Sequence, residues 1–293
     1  MQFLKGGKYL IGEQIDELGT TFKGKNLETD EIVSIKKISK NFEHINTIID
    51  TIKKITERIP NSIKFKEYFE SENNYYFIQN CYDDNLEHFM RINKKLTPNL
   101  IHKIFTQLNT TFKSLLDNDT FITVRPSNIL IKYCNPEKTN FDSFFSDYFI
   151  FTEKNEKDTI KNSSLLKLEY RIKNEISNFY QIRCNLDIPN KKKVINSSIY
   201  DSYISQKDNT YFSPYLYSIG LTIYFLFFGC LPYSKFSLVN FNMLLDKQKD
   251  IKVKIKEDSN LEDLLNKILK KNTKERICWK EYFTHPFFNQ YKY

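Results

Sequence analysis

The spacing of apolar residues changes once along the chain, and this change constrains the fold more than any other feature. In the first part, β-branched and apolar residues alternate with polar ones, as in Glu31–Ile38, and this period of two is typical of half-buried strands. One segment there, Phe42–Ile55, has the period of a helix. After Asp83, apolar residues recur at the spacing of amphipathic helices. The sequence therefore predicts an α+β fold, β-rich over residues 1–82 and helical over residues 83–293.

Individual elements follow from the same two periods. Besides Glu31–Ile38, the predicted strands are Tyr9–Ile15, Thr20–Lys25, Ile63–Phe69 and Tyr75–Asn80. Thr97 is a suitable N-cap and Pro98 a suitable first residue for a helix whose buried face holds Ile101, Ile104, Phe105, Leu108, Phe112 and Leu115. Further helices are predicted over Leu216–Phe228, Leu261–Leu269 and Trp279–Phe283. The polar stretch over residues 153–208 fits neither period, and we interpret it as an insertion.

Charge and cysteine content disfavour several classes of protein. The chain carries 44 Lys and Arg against 36 Asp and Glu, a net charge of +8, without the clustered basic stripe that a nucleic-acid partner requires. Its five cysteines are widely spaced and odd in number, which disfavours a disulfide framework or a zinc site and favours a reducing compartment. The longest apolar run, Ile219–Leu231, is too short to span a membrane. We therefore expect a cytoplasmic protein with no membrane span and no nucleic-acid partner.

Three stretches carry the motifs on which a family resemblance depends. They are the strand Val33-Ser34-Ile35-Lys36, the turn and strand Pro126–Ile131, and Arg276 followed by His285-Pro286-Phe287-Phe288. Each is common alone, but in this order and at this spacing they resemble the eukaryotic protein kinases over nearly the whole chain. The spacing is most similar to the Ser/Thr branch, particularly the calmodulin-dependent-like and autophagy-initiating kinases. The resemblance implies a bilobal protein-kinase-like fold, with the boundary between N-lobe and C-lobe after residue 82.

The resemblance also implies which residues contact ATP. Lys36 matches the lysine that grips the α- and β-phosphates. Gly12 and Gly19 match the Gly-rich loop over those phosphates, but at poor spacing, so that a simple hairpin is the better interpretation of this segment. Asn80 and Tyr82, at the end of the β-rich region, complete the expected nucleotide-contacting set.

Two further residues match the metal ligands of the family. Asn128 matches the Asn at the end of the catalytic loop, and Asp147 matches the Asp of the D-F-G motif, both of which hold Mg²⁺ in active members. Asp142 is a weaker candidate for the role of Asp147. Phe149 replaces the glycine of D-F-G, which permits unusual backbone angles. ATP and Mg²⁺ are therefore expected to bind weakly, if they bind.

The chain departs from the family where phosphate is transferred. The catalytic loop H-R-D-L-K-P-x-N aligns with Phe121–Asn128, so that Thr123 stands in place of the proton-accepting Asp and Arg125 in place of the Lys. A threonine hydroxyl is not ionised near pH 7 and cannot act as that base, whose assistance contributes ~10²–10⁴-fold to the rate. Arg125 keeps the positive charge but changes its shape and reach.

Supporting acidic residues of the family are missing as well. On the predicted helix near the phosphate-gripping lysine, the nearest acids are Glu43 and Asp50, and neither stands at the expected position. Tyr215 or Leu216 stands where the family has an Asp that supports the catalytic loop. No A-P-E glutamate is present to pair with Arg276. Because a buried unpaired arginine is costly, we expect Arg276 to have another acceptor.

Three functional hypotheses follow. The first is a pseudokinase that serves as a binding, scaffolding or regulatory module for protein partners, another kinase among the candidates. The second is an active, atypical Ser/Thr kinase in which Asp117 or Asp119 replaces the missing base. The third is a structural α/β protein with chance motifs. Loss of the catalytic residues together, under a preserved core pattern, favours the first.

Overall fold

The computed structural model describes residues 2–15, 21–40, 59–117, 120–121, 124–146, 151–152, 213–232, 250–270, 272 and 274–289. Contacts divide the chain into two units. The N-terminal unit comprises Met1–Leu86, Thr110–Thr120 and Asn128–Phe151, and the C-terminal unit comprises Glu87–Asn109, Phe121–Ser127 and Thr152–Tyr293. The lobe boundary after residue 82 stays a prediction. The predicted helix Phe42–Ile55, with Glu43 and Asp50, and the insertion over residues 153–208 lie outside the described residues.

An antiparallel sheet forms most of the N-terminal unit. Its six strands are β1 (Gln2–Leu4), β2 (Tyr9–Gln14), β3 (Thr21–Asn26), β4 (Ile32–Ser39), β5 (Phe65–Glu70) and β6 (Asn74–Asn80), in the spatial order β1-β2-β3-β4-β6-β5. A 3-10 turn over Lys5–Gly7 joins β1 to β2. Alternate residues face a core made of Leu4, Tyr9, Val33, Ile35, Tyr76 and Ile78. The period of two in the sequence is therefore explained by one buried face.

The two ends of this sheet are joined by side chains. Three strands separate β2 from β5 in the spatial order, yet the Tyr9 ring stacks on Phe69 with centroids 6.0 Å apart. Glu67 of β5 accepts hydrogen bonds from Lys5 and Tyr9, and its carboxylate lies 2.9 Å from Lys8 Nζ. We call Lys5, Lys8, Tyr9 and Glu67 the Glu67 cluster. Because it connects opposite ends of the strand order, the sheet is strongly curled.

A second, smaller sheet lies in the same unit. After β6 the chain forms β7 (Asp84–Asn85), α1 (Leu86–Asn93), α2 (Pro98–Asp117), β8 (Thr120–Phe121), a 3-10 turn (Pro126–Asn128), β9 (Ile129–Tyr133), β10 (Phe141–Phe145) and β11 (Phe151–Thr152). Strands β10, β9 and β7 are antiparallel neighbours in that order. The Ile63 N–H donates to the Phe145 carbonyl at 3.1 Å, and the Phe145 N–H donates to the Asn61 carbonyl at 2.8 Å. The chain before β5 therefore holds β10 in position.

Helix α2 begins and packs as the sequence predicts. The Thr97 hydroxyl accepts a hydrogen bond from the Leu100 N–H at 3.3 Å, and Pro98 is the first helical residue. The six residues of the predicted face, Ile101, Ile104, Phe105, Leu108, Phe112 and Leu115, are all buried. The cap and the apolar face together explain why a helix forms here.

Helices form the core of the C-terminal unit. They are α3 (Ser213–Phe228), α4 (Ser259–Ile268) and α5 (Trp279–Phe283), followed by a 3-10 turn over Pro286–Asn289. Helix α3 is apolar around most of its circumference, as is typical of a buried helix. Gly220 lets α3 and the end of α4 approach closely, since a Cβ there would lie 2.6 Å from Ile268 Cγ2 and 2.9 Å from Leu269 Cδ2. Asp258 caps α4 by accepting from the Leu261 N–H at 2.9 Å.

The observed elements confirm the predicted α+β fold class, with a curled sheet first and helices later. The sequence does not predict β1, which has only three residues. It does not predict β10 either, because the buried Ser143 interrupts the apolar alternation of that strand. In the part of the chain that the structure describes, no helix combines the length and the apolar character needed to cross a membrane.

Candidate functional site

Lys36 lies on β4, near the middle of the large sheet. It stands opposite Thr21 of β3 and Phe77 of β6, and its side chain is half-buried. Ser34 lies two residues earlier on the same face, where it is buried opposite Lys23 of β3. Directly paired residues of neighbouring strands share a face. This face, turned away from the core, therefore carries two ammonium groups in adjacent rows and raises the local potential for an anionic ligand.

Gly12 lies where the pairing of β2 with β3 becomes irregular. The register shifts after Ile11, and a Cβ on Gly12 would lie 2.8 Å from the Lys23 carbonyl oxygen. The close approach of the two strands therefore requires glycine at this position, which supports the hairpin interpretation of the segment. Contact between Gly12 and a nucleotide stays a prediction, and Gly19 lies outside the described residues.

The chain that leaves β6 carries Asn80 and Tyr82. The Asn80 N–H donates to the Lys64 carbonyl at 3.3 Å. The centroid of the Tyr82 ring lies 4.9 Å from that of Phe144 on β10, and Phe144 is paired with Leu130 on β9. Burial raises the pKa of Tyr82 to about 12, so that its hydroxyl stays neutral. Tyr82, Leu130 and Phe144, all half-buried, form what we call the apolar shelf, a surface of the kind on which planar rings stack.

Asn128 is hydrogen-bonded to the residue before Asp147. Ser146 donates to the Asn128 carbonyl from its N–H at 2.8 Å and from its hydroxyl at 3.2 Å. Asp147 lies outside the described residues. Asp142, by contrast, is exposed in the middle of β10 opposite Lys132. The roles of Asp142 and Asp147 as metal ligands stay predictions.

The loop before Asn128 is held by two hydroxyl groups of α3. The Val124 N–H donates to Ser218 Oγ at 3.2 Å, and Thr222 Oγ1 donates to the Val124 carbonyl at 3.0 Å. All three residues are buried, so these bonds are shielded from water. We call Ser218 and Thr222 the hydroxyl clamp. The clamp holds the residue between Thr123, which lies outside the described residues, and Arg125, which is buried.

Tyr215 or Leu216 stands where the kinase family has an Asp that supports this loop, and the sequence does not predict the clamp. Leu216 is buried and apolar, and the support comes from residues further along α3. A signal is present in the sequence: Ser218 and Thr222 stand four residues apart on an otherwise apolar helix. Hydroxyl side chains in such positions bond to backbone groups, and Thr222 Oγ1 also donates to the Ser218 carbonyl at 2.9 Å.

Arg276 has a neutral acceptor, as expected. Its Nε and Nη2 donate to the Lys270 carbonyl at 3.0 and 2.8 Å. Its Cζ lies 4.8 Å from the centre of the Tyr217 ring on α3, a cation–π contact. In the motif that follows, His285 Nε2 lies 3.0 Å from Asp263 Oδ2 on α4. The two motif residues at the end of the chain therefore attach it to α3 and α4.

Comparison with known proteins identifies similar sequences over most of the chain. No protein-family model matches. Serine/threonine-protein kinase ULK3 of mouse (Mus musculus) is 21% identical over 272 residues, which cover 89% of this chain and 50% of that protein. The human protein of the same name is 20% identical over 272 residues, with the same coverage. The chain is protein-kinase-like. It spans about half the length of the curated relatives it matches.

This kinase-like relationship agrees with the α+β architecture. The predicted site residues are distributed over the two units. Five of them, Gly12, Lys36, Asn80, Tyr82 and Asn128, belong to the N-terminal unit, and Arg125 belongs to the C-terminal unit. Thr123, Gly19 and Asp147 lie outside the described residues. The roles of all nine in nucleotide binding or catalysis stay predictions.

Proposed function

We propose that the chain is a catalytically impaired kinase-like domain, a pseudokinase, which acts as a binding, scaffolding or regulatory module for other proteins and retains weak Mg·ATP binding. The observation that carries the proposal is Thr123, which aligns with the proton-accepting Asp of kinases. A neutral hydroxyl does not accept the proton of a substrate hydroxyl at pH 7. Base assistance contributes ~10²–10⁴-fold, so phosphate transfer should be slower than in an active kinase by about that factor.

Weak ATP binding is proposed because several residues of the N-terminal unit carry groups that suit a nucleotide. Lys36 places a half-buried ammonium group on the face of the large sheet opposite to Val33 and Ile35, where it is suited to phosphate oxygens. The apolar shelf offers stacking area for a base. Asn128 and Asp147 provide oxygen ligands of the type that Mg²⁺ prefers. Affinity should nevertheless be low, because the Gly-rich loop that brings backbone donors to the phosphates is degraded.

A phosphotransfer assay with radiolabelled ATP tests the loss of catalysis. The unchanged chain, Thr123→Asp and Asp147→Asn are each incubated with Mg·ATP and generic protein substrates. We expect no transfer above background from the unchanged chain or from Asp147→Asn. Thr123→Asp should raise transfer by at least about tenfold, because it restores a carboxylate at the position of the base. Transfer by the unchanged chain that Asp147→Asn abolishes would contradict the proposal.

That last outcome would favour the alternative, an active atypical Ser/Thr kinase. One observation supports this alternative: the similar proteins are named serine/threonine-protein kinases. It requires a carboxylate from elsewhere in the chain. Asp117 is the last residue of α2 and is exposed, whereas Asp119 lies outside the described residues. Asp117→Asn and Asp119→Asn should each be tested for loss of transfer, and under the pseudokinase proposal neither changes the background signal.

Nucleotide binding is tested separately by thermal-shift titration with Mg·ATP. A ligand that binds only the folded chain stabilises it, by about 2.7 kcal/mol at a hundred times its Kd. We expect a rise in melting temperature for the unchanged chain, and no rise for Lys36→Met. Lys37→Met is the matched control, because Lys37 is the next residue of β4 and points to the opposite face, across from Tyr76. If Mg·ATP does not raise the melting temperature of the unchanged chain, the proposal of ATP binding is wrong. The proposed loss of catalysis does not depend on this result.

A further inference from the structure

In the C-terminal unit, the chain over residues 252–255 runs beside helix α4 and bends at Lys256. Burial alternates along it: Val253 and Ile255 are 6% and 3% exposed, whereas Lys252, Lys254 and Lys256 are exposed. A period of two is that of a strand. We call residues 252–256 the basic strip. Its apolar side chains face the core of the unit and its three lysines face solvent.

One backbone edge of the basic strip is bonded to α4. The Val253 N–H donates to Asn266 Oδ1, and the Val253 carbonyl accepts from Asn266 Nδ2, both at 2.9 Å. The Ile255 N–H donates to the Glu262 carboxylate. A side-chain amide that pairs with the N–H and the C=O of one residue makes the bonds that a neighbouring strand would make. Side chains of the helix therefore replace a neighbouring strand on this edge.

The opposite backbone edge is open, as far as the described part of the chain extends. In an extended chain, successive residues direct their N–H and C=O groups to opposite edges, so those of Lys252 and Lys254 are directed away from α4. Neither the backbone groups nor the ammonium groups of these lysines bond to a described residue. Other lysines, such as Lys8, Lys25 and Lys66, form ion pairs with acids. Among the described residues, the basic strip thus combines main-chain donors and acceptors that have no partner with lysines that form no ion pair.

We propose that the basic strip binds an extended acidic segment of a partner protein, which adds as a strand along the open edge. Main-chain hydrogen bonds provide affinity in this mode of recognition, and lysines at every second position select acidic side chains on the added strand. The same lysines repel a second copy of the strip and so disfavour self-association. This inference rests on the proposed protein-binding role and gives it a surface, but it does not depend on the loss of phosphate transfer.

Fluorescence anisotropy with labelled peptides tests the basic strip on the full chain, without ATP. The probe is a short peptide of alternating Glu and Val. A second probe has the same sequence with N-methyl groups on alternate backbone nitrogens, which removes donors from one edge and leaves the charge unchanged. We expect the first probe to bind and the second to bind at least roughly tenfold more weakly. Equal binding of both probes, no binding of the first, or equally tight binding of single-stranded DNA would overturn strand addition.

Charge reversal tests the lysines themselves. A triple variant should weaken binding of the Glu/Val peptide by at least roughly tenfold. It combines Lys252→Glu, Lys254→Glu and Lys256→Glu. The matched control reverses three other exposed lysines, Lys95, Lys113 and Lys274. If the control weakens binding as much as the variant of the basic strip, the peptide responds to net charge only, and the proposal is wrong.

The backbone of the edge is tested by two changes at one residue. Lys254→Pro and Lys254→Gln remove the same charge, but only proline removes the N–H of the open edge, so it should weaken binding roughly tenfold more. Hydrogen exchange on the unchanged chain gives a second measurement that needs no variant. The peptide should slow exchange of the Lys252 and Lys254 amides and leave that of Val253 unchanged, because the Val253 N–H is already bonded. If the peptide does not slow exchange of these amides, the proposal that the basic strip binds it is wrong. The pseudokinase proposal still holds in that case, provided that the chain fails to transfer phosphate.

Discussion

Two charged side chains, Glu67 in the N-terminal unit and Arg276 in the C-terminal unit, have described contacts of different kinds. In the N-terminal unit, the Glu67 side chain is 23% exposed and is surrounded by the ammonium groups of Lys5 and Lys8 and the Tyr9 hydroxyl. In the C-terminal unit, Arg276 is 5% exposed, donates to a backbone carbonyl and lies over an aromatic ring. An ionic cluster near the surface responds to pH and salt, whereas contacts to neutral groups in a core respond mainly to changes in packing. The contacts of Glu67 and the described contacts of Arg276 should therefore lose their stabilising effect under different conditions.

The largest effect is expected where the buried cation is removed. Arg276→Met should lower the free energy of unfolding by about 3 kcal/mol, because the Lys270 carbonyl loses its donor and the Tyr217 ring loses its cation. Denaturant unfolding, followed by the fluorescence of the single tryptophan, Trp279, measures the change. Arg91→Met, at an exposed position on α1, is the control and should cost under about 0.5 kcal/mol. Equal losses in both variants would show that the contacts of Arg276 contribute little.

The hydroxyl clamp gives an intermediate effect in the same unit. Ser218→Ala and Thr222→Val should each cost about 1 kcal/mol, because each leaves a buried backbone group of Val124 without its partner. Thr222→Ser keeps the hydroxyl and should preserve stability better than Thr222→Val. Hydrogen exchange at the Val124 amide should accelerate in Ser218→Ala more than at amides of α4. If exchange accelerates uniformly across the C-terminal unit, the clamp has no specific role in holding the loop.

The elements of both units follow largely from local sequence. The alternation in β4 and the apolar face of α2 each depend on residues close together in the chain, and so the sequence predicts them. The motif residue Arg276 is also recognisable from its spacing to the residues that follow it. Local sequence patterns indicate which residues are buried. In this chain, those patterns are sufficient to predict the α+β fold class.

The groups that hold the elements together are less accessible to such reasoning. The Glu67 cluster joins Lys5 to a residue 62 positions away, and the clamp joins Val124 to Ser218 across 94 positions. Contacts between residues so far apart produce no periodic pattern in the sequence, because each pair meets only after the strands and helices have packed. The candidate site shows the same limit: the resemblance identifies Lys36 and Asn128, but the apolar shelf depends on Phe144, which lies on a strand that the sequence does not predict.

The smallest effect is expected in the N-terminal unit, and it depends on pH. Burial alone would raise the pKa of Glu67, but hydrogen bonds from Lys5, Tyr9 and Lys8 outweigh it and lower the pKa from 4.5 to about 2. A carboxylate whose pKa is lowered by folding contributes fully to the free energy of unfolding at any pH above its pKa in the unfolded chain. That stability is lost as the pH falls from about 4.5 to about 2. Because the group is partly exposed, screening by solvent should limit the loss to about 0.5 kcal/mol.

Melting temperatures measured across this acidic range distinguish the Glu67 cluster from general acid effects. Glu67→Gln cannot ionise, so the part of the acid-induced loss that belongs to the cluster should disappear. Glu70→Gln is the matched control on the same strand: Glu70 is exposed and lies 2.9 Å from Lys40 Nζ, a surface pair worth little. We expect Glu70→Gln to lose stability in acid as the unchanged chain does. If Glu67→Gln loses as much stability in acid as the unchanged chain, the Glu67 cluster does not stabilise the N-terminal unit. The contrast with the described contacts of Arg276 is then wrong.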